Sequence, residues 1–259
     1  MRTRIVSGVI VGIVTIIPGL LGGLWFTGLV LIILLIASYE VHLLMCASGF
    51  NPSLIFGLAT TLVTFVIVRF PAFPYLSAIA TALLLTSLAL QMRHREGRPI
   101  ADWAVGVAGS AYLGLTGGHM AAVREFSNGT WWLVVAIGIT WLADSGAFVI
   151  GKRFGKHKLT PSLSPKKTWE GYFGGVATAV AGGIVIGLVS PLGMVNALVT
   201  AFLVGCFGTL GDLVESMFKR QANSKDSGHI IPGHGGAFDR VDSLLWSGVI
   251  IFYWVTLLQ

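Results

Sequence analysis

Charge is scarce in this chain. Lys, Arg, Asp and Glu together make up 11% of its 259 residues, where a soluble domain carries about 25%. That excludes an ordinary soluble domain, and the 54% hydrophobic content and mean hydropathy of +0.82 agree. Cysteine is scarcer still. Cys46 and Cys206 both sit in apolar runs, which excludes a disulfide framework and a thiolate zinc site, and both read as small buried apolar residues. No GxxxxGK[ST] and no GxSxG occurs, so P-loop and nucleophile-elbow chemistries have no support. There is no strong internal repeat, no low-complexity linker and no evident cleavable signal peptide.

What is present is a succession of apolar runs of membrane length, about 20 residues each. They fall at about Ile5–Leu21, Leu24–Val41, Leu54–Val68, Tyr75–Met92, Ala101–Val123, Trp131–Ile150, Gly171–Val189, Val195–Phe218 and Phe238–Leu258. The expected fold is an all-α polytopic membrane protein of about nine transmembrane helices, the short third run being tilted or interfacial. With the N-terminus in the cytoplasm, alternation puts every Lys and Arg except Arg69 and Arg124 on the cytoplasmic side, as the positive-inside bias requires. The C-terminus is then on the opposite side. This distribution also accounts for the net charge of +6 without a nucleic-acid partner. Trp131 and Trp132 suit an interfacial belt. The 34 glycines point to close helix packing.

The polar residues are unevenly spread. Residues 1–128 are nearly bare of polar side chains within the spans and read as a scaffold that gives lipids access. Residues 129–259 hold four polar constellations and read as the catalytic part. A polar cluster inside or beside membrane helices is a functional candidate by default.

The first constellation is Asp144-Ser145-Gly146, near the cytoplasmic end of the sixth span. Its bland alternative is an interfacial Asp paired with a nearby Lys. The second is Ser164-Pro165-Lys166-Lys167-Thr168-Trp169-Glu170, just before a helix start. Adjacent lysines, hydroxyls and a helix N-terminus can hold a phosphate, although such lysines also serve as plain topology determinants. The third is Asp212, Glu215, Ser216 and Lys219, at i, i+3, i+4 and i+7 on one helix face. The fourth runs from Lys219 and Arg220 through Lys225, Asp226 and His234-Gly235-Gly236 to Asp239-Arg240-Val241-Asp242-Ser243. Glycines there let backbone amides approach a ligand, and Asp239, Asp242 and Ser243 share a face of the last helix.

Asp212 and Asp239 lie at the end of one span and the start of the next, on one side of the membrane. They are the expected metal pair. Carboxylates without thiols suit Mg²⁺, which binds one or two carboxylates plus substrate phosphates. His234 reads as a contact to phosphate or metal-bound water, or as a structural histidine. Lysines and arginines answer phosphates, so phosphoryl or nucleotidyl transfer to a lipid fits the whole set.

At this point the sequence resembles the phosphatidate cytidylyltransferase (CDP-diglyceride synthase) family. The resemblance rests on the signature S-x-[apolar]-K-R-x4-K-D-x-[small]-x2-[apolar]-[P/G]-x-H-G-G-[apolar]-x-D-R-[apolar]-D. Ser216, Phe218, Lys219, Arg220, Lys225, Asp226, Gly228, Ile231, Pro232, His234, Gly235, Gly236, Asp239, Arg240, Val241 and Asp242 fit it. Ala237 stands where a bulkier aliphatic is usual, and Phe148 where Tyr is common. Asp144 to Ala147 and Ser164 to Gly171 also resemble the family.

The resemblance implies that CTP and phosphatidate give CDP-diacylglycerol and pyrophosphate with Mg²⁺, in one or two ions. The compact size points to a bacterial plasma membrane, with a eukaryotic internal membrane as the alternative, and the basic residues put the site on the cytoplasmic side. Lys219, Arg220, Lys225, Asp226, His234 and Arg240 are then the catalytic group. Asp144, Ser145, Ser164, Lys166, Lys167, Ser216, Gly235 and Gly236 bind substrate. CTP, phosphatidate and membrane lipids are the expected partners, and a homodimer stays open. A CTP-dependent polyprenol kinase or a related membrane lipid transferase is the competing enzyme. A transporter would instead place acids near mid-membrane in two related halves.

Overall fold

The computed structural model describes residues 14–93, 97–228 and 235–258. Most of them are helical. After residues 14–21 come α1 (Gly23–Ala47), α2 (Leu54–Arg69), α3 (Leu76–Gln91) and α4 (Pro99–Val123). Then follow α5 (Gly129–Phe154), the short strands β1 (Lys158–Thr160) and β2 (Ser164–Thr168), and α6 (Trp169–Val189). α7 (Met194–Phe207), α8 (Thr209–Gln221) and α9 (Phe238–Leu258) complete the chain.

The all-α membrane class is as expected. Five helical stretches among the described residues are long and apolar enough to cross a bilayer: α1, α5, α6, α7 together with α8, and α9. α2 and α3 are apolar but only 16 residues each. Most of the expected first run lies outside the described residues.

The packing divides the chain into two units. The first holds the described residues up to Ala122 and the segment Phe218–Val241. Its core begins on α1, where Phe26, Val30, Leu34, Ala37, Val41 and Leu44 are buried. Their spacing of three and four residues makes one stripe along the helix. Leu24, Trp25, Ile32 and Leu43 on the other side are exposed, as lipid-facing residues are. Cys46 is exposed with them. The expectation of burial fails for it because its position continues the outward side of α1.

α4 presents glycines to α2 and α1. A Cβ on Gly114 would lie 2.4 Å from the Thr61 carbonyl, and one on Gly117 would lie 2.2 Å from Leu34 Cδ1. Backbones can approach this closely only where side chains are missing. Several polar groups inside the unit are paired. Thr61 Oγ1 donates to Ser38 Oγ at 3.0 Å, and Asp102, 5% exposed, accepts from the Asn51 amide at 3.0 Å.

The second unit holds Val123–Met217 and the chain from Asp242 onward. α5 contains one π-helical turn, Val135–Ile139. Just after it, Thr140 Oγ1 lies 2.7 Å from Ser247 Oγ. Trp132, expected in an interfacial belt, is 4% exposed and belongs to the core, while Trp131 is half-buried. α6 lies on α5 through glycines: a Cβ on Gly175 would lie 2.7 Å from the Ala143 carbonyl.

Between these helices the chain forms a tight hairpin. β1 and β2 pair antiparallel, with Lys158 opposite Thr168 and Thr160 opposite Ser164. Thr168 then caps α6, its Oγ1 accepting from the Gly171 amide at 3.2 Å. A threonine three residues before that amide satisfies one of the four orphan donors of a helix start.

Candidate active site

The signature segment in the first unit is built around a residue that sequence reasoning passed over. Glu40 lies in the middle of the buried side of α1 and is 1% exposed. Its Oε1 accepts from the Ala237 amide at 2.9 Å. Its Oε2 accepts from the Phe238 amide at 2.9 Å and from Ser227 Oγ at 2.9 Å. The two amides begin α9, so Glu40 caps that helix from a distant part of the chain, where a carboxylate is favoured by the helix dipole. The signal was present in the sequence: an acid inside a largely apolar 25-residue helix is expensive unless it has donors.

Asp239 forms the second half of the same cluster. Its Oδ1 accepts from Lys219 Nζ at 2.8 Å. Its Oδ2 accepts from the Ser227 amide and from the Gly236 amide, each at 2.9 Å. Ser227 Oγ lies 2.9 Å from both Glu40 Oε2 and Asp239 Oδ2, so its one proton is shared between two carboxylates. Two glycines make this closure feasible. A Cβ on Gly228 would lie 2.5 Å from Glu40 Oε1, and one on Gly236 would lie 2.2 Å from Ser227 Oγ. Gly235 adopts φ +81°, a left-handed conformation that favours glycine. Phe238 is fully buried, edge-on to Phe218 and Tyr112.

The cations around this cluster differ in setting. Lys219 is 12% exposed and held in its ion pair. Arg220 is exposed, its Nη1 donating to the Ser224 carbonyl at 2.9 Å. Lys225, Asp226 and Arg240 are exposed. His234 lies outside the described residues.

The second unit holds a separate polar cluster. Lys167 Nζ donates to Asp212 Oδ2 at 2.5 Å. The Asp242 side chain is within hydrogen-bond reach of that of Asp212, and Asp144 feels the charges of both Asp212 and Lys167. Local structure explains the meeting. Gly211 sets the backbone of α8 flush against α9: a Cβ there would lie 2.2 Å from the Asp242 carbonyl. On β2, successive side chains alternate sides. Lys167 therefore reaches Asp212 while Lys166 is exposed.

Of the remaining expected residues, Asp144 and Ser145 are exposed side by side, Ser164 pairs in the hairpin, and Ser216 is half-buried on α8. Glu170 is engaged locally, accepting from His157 Nδ1 at 2.6 Å.

The second cluster fits a divalent ion. Two carboxylates in hydrogen-bond contact repel each other when both are ionised, and they require either a shared proton or a cation. Asp242, which was not in the expected metal pair, is the carboxylate that meets Asp212. No preformed group of three or more His, Cys, Asp or Glu ligands exists among the described residues. A Mg²⁺ ion held by one or two of these carboxylates would take its remaining oxygens from water and substrate phosphates. In the first unit, both Asp239 oxygens have protein donors.

The model of the cytidylyltransferase family matches residues 2–258. A phosphatidate cytidylyltransferase of Brucella suis biovar 1 (strain 1330) is 33% identical over 254 residues, covering 97% of this chain and 92% of that protein. One of Staphylococcus epidermidis (strain ATCC 35984) is 39% identical over 171 residues, covering 65% of this chain and 64% of that protein.

Proposed function

This chain belongs to the cytidylyltransferase family, and on that premise we propose that it joins CTP to phosphatidate, giving CDP-diacylglycerol and pyrophosphate. The observation that carries this reading is the likeness, along nearly the whole chain, to proteins of that activity. Of the signature residues, Lys219, Gly236 and Asp239 share one hydrogen-bonded cluster, while Arg220, Lys225, Asp226 and Arg240 are exposed.

The chemistry asked of the residues is positioning and charge neutralisation. The phosphatidate phosphate is already anionic near neutral pH, so its oxygen needs no strong base. It attacks the α-phosphorus of CTP in line. The new P–O bond forms as the bond from the α-phosphorus to the bridging oxygen breaks, and that electron pair leaves on pyrophosphate.

Lys219, Arg220 and Lys225 face phosphates of CTP or lipid, with His234 and Arg240 steadying the transferring group. Lys166 and Lys167 serve a phosphate at the start of α6. Asp144, Ser145, Ser164 and Ser216 contact substrate, and Gly235 and Gly236 let the backbone come close to it. Asp212, with Asp242 beside it, would hold Mg²⁺. When bound, the ion screens the two anionic substrates and stabilises the leaving pyrophosphate. Asp239, first expected as the other metal ligand, is better placed to hold Lys219 and the loop.

The distribution of Lys and Arg supports nine spans with the N-terminus and the site on the cytoplasmic side. The decisive assay supplies the purified protein in detergent with Mg²⁺, CTP and phosphatidate, with ATP and GTP in parallel. Pyrophosphate release that needs both CTP and phosphatidate, with CDP-diacylglycerol in the lipid phase, is the expected result. Phosphorylation of a polyprenol instead, with no product from phosphatidate, overturns it.

A further inference from the structure

We infer that Glu40 is a positioning residue for the reaction, setting Lys219 through the relay Glu40–Ser227–Asp239–Lys219. This rests on the reading above, in which Lys219 faces substrate phosphate.

Every link is on the page. Glu40 holds both ends of the signature loop: Ser227 at its start, and the Ala237 and Phe238 amides at its close. Ser227 passes the constraint to Asp239 through its hydroxyl and its amide. Asp239 in turn fixes the Lys219 ammonium at 2.8 Å. Glu40 itself is 1% exposed and walled in by Gly228 and Gly236. It therefore acts on the reaction through other residues.

The geometry also specifies a carboxylate. All three atoms that Glu40 meets are donors, two backbone amides and a hydroxyl. A glutamine would keep one acceptor oxygen and turn an NH₂ toward donors. An aspartate would be one methylene too short. A displacement of about 1 Å at a positioned cation costs on the order of 100-fold in rate.

The test uses the full-length protein in detergent as wild type, Glu40→Gln, Ser227→Ala and the double variant. Steady-state kinetics are read together with amide hydrogen exchange. Glu40→Gln is expected to lower kcat by roughly 10- to 100-fold, with KM for phosphatidate within about twofold. Exchange at Ala237 and Phe238 should rise at least about tenfold while α5 and α6 keep their protection. Because the two residues act in one relay, the double variant should be no more than about threefold slower than the slower single variant.

A Glu40→Gln enzyme with kcat within twofold of wild type overturns the inference, as does exchange that rises equally throughout the chain. Full multiplication of the two single effects overturns the relay. If Glu40→Gln does not accumulate, Ser227→Ala alone decides, since it leaves the two backbone bonds of Glu40 in place. A wild type that makes no CDP-diacylglycerol overturns the proposed activity instead, and the exchange measurement then decides whether Glu40 sets the loop.

Discussion

Lys219 Nζ donates to Asp239 Oδ1 at 2.8 Å across 20 residues of chain, and both side chains are nearly out of solvent, at 12% and 10% exposure. An ion pair so enclosed does more for arrangement than for stability, because desolvation offsets most of the Coulomb attraction. Breaking it from one side is another matter. Asp239→Ala leaves the ammonium without that acceptor and also strips the Ser227 and Gly236 amides of theirs. We expect a stability loss of about 3–5 kcal/mol and loss of nearly all turnover. The double variant Lys219→Met/Asp239→Asn should regain part of the stability, read as melting temperature, and none of the activity. Recovery of activity in that variant would remove Lys219 from the phosphate site.

Asp212 gives a metal-dependent prediction. Asp212→Asn should raise the Mg²⁺ concentration needed for half-maximal rate by at least about tenfold, since altering even a partner that only orients a metal ligand typically costs that much. Asp242→Asn should act in the same direction. Near-normal turnover at ordinary Mg²⁺ in both variants would take the pair out of the metal site. Chelation by EDTA should abolish wild-type turnover reversibly.

Gly211 tests the helix contact that brings those carboxylates together. In Gly211→Ala the new Cβ would meet the Asp242 carbonyl at 2.2 Å, a backbone atom that cannot swing aside. The expected cost is about 1–3 kcal/mol, with activity falling further than stability. Gly28→Ala is the control, since nothing lies within 4 Å of its added Cβ. Equal melting temperatures for the two variants would count against the close approach.

Thr168 supports Lys166 and Lys167 through the start of α6. Thr168→Ala removes the acceptor for the Gly171 amide and should lower stability by about 1 kcal/mol. Thr168→Ser keeps the oxygen and should stay within a few tenths of wild type. If the two variants melt alike, the cap contributes nothing.

How much of this was legible beforehand depended on whether the signal was local. The apolar runs, the polar break at Ser216 to Asp242 and the helix start at Trp169 follow from composition and capping within a few residues, and they were readable. The burial of Trp132 and the exposure of Cys46 were not, because each depends on which side of a helix meets another. Glu40 was the costliest omission. Its donors stand about 190 residues away, at Ser227, Ala237 and Phe238, so no spacing rule links them. Only the rarity of a carboxylate inside α1 hinted at a partner. Asp242 was seen as part of a helix face, yet its meeting with Asp212 depends on Gly211, whose packing partner the sequence does not name.

The segment Phe218–Val241 belongs with the N-terminal helices although stretches of the other unit precede and follow it. The consequence is a lack of modularity. No single cut in the chain yields two self-sufficient halves. A fragment beginning near residue 129 would carry the entire signature and still lack the carboxylate that closes it, and transplanting the amino-terminal helices from a distant homologue would succeed only if the donor supplied an acid in register with Glu40. Complementation between separately expressed halves should therefore hinge on one side chain that lies outside the motif by which such proteins are recognised.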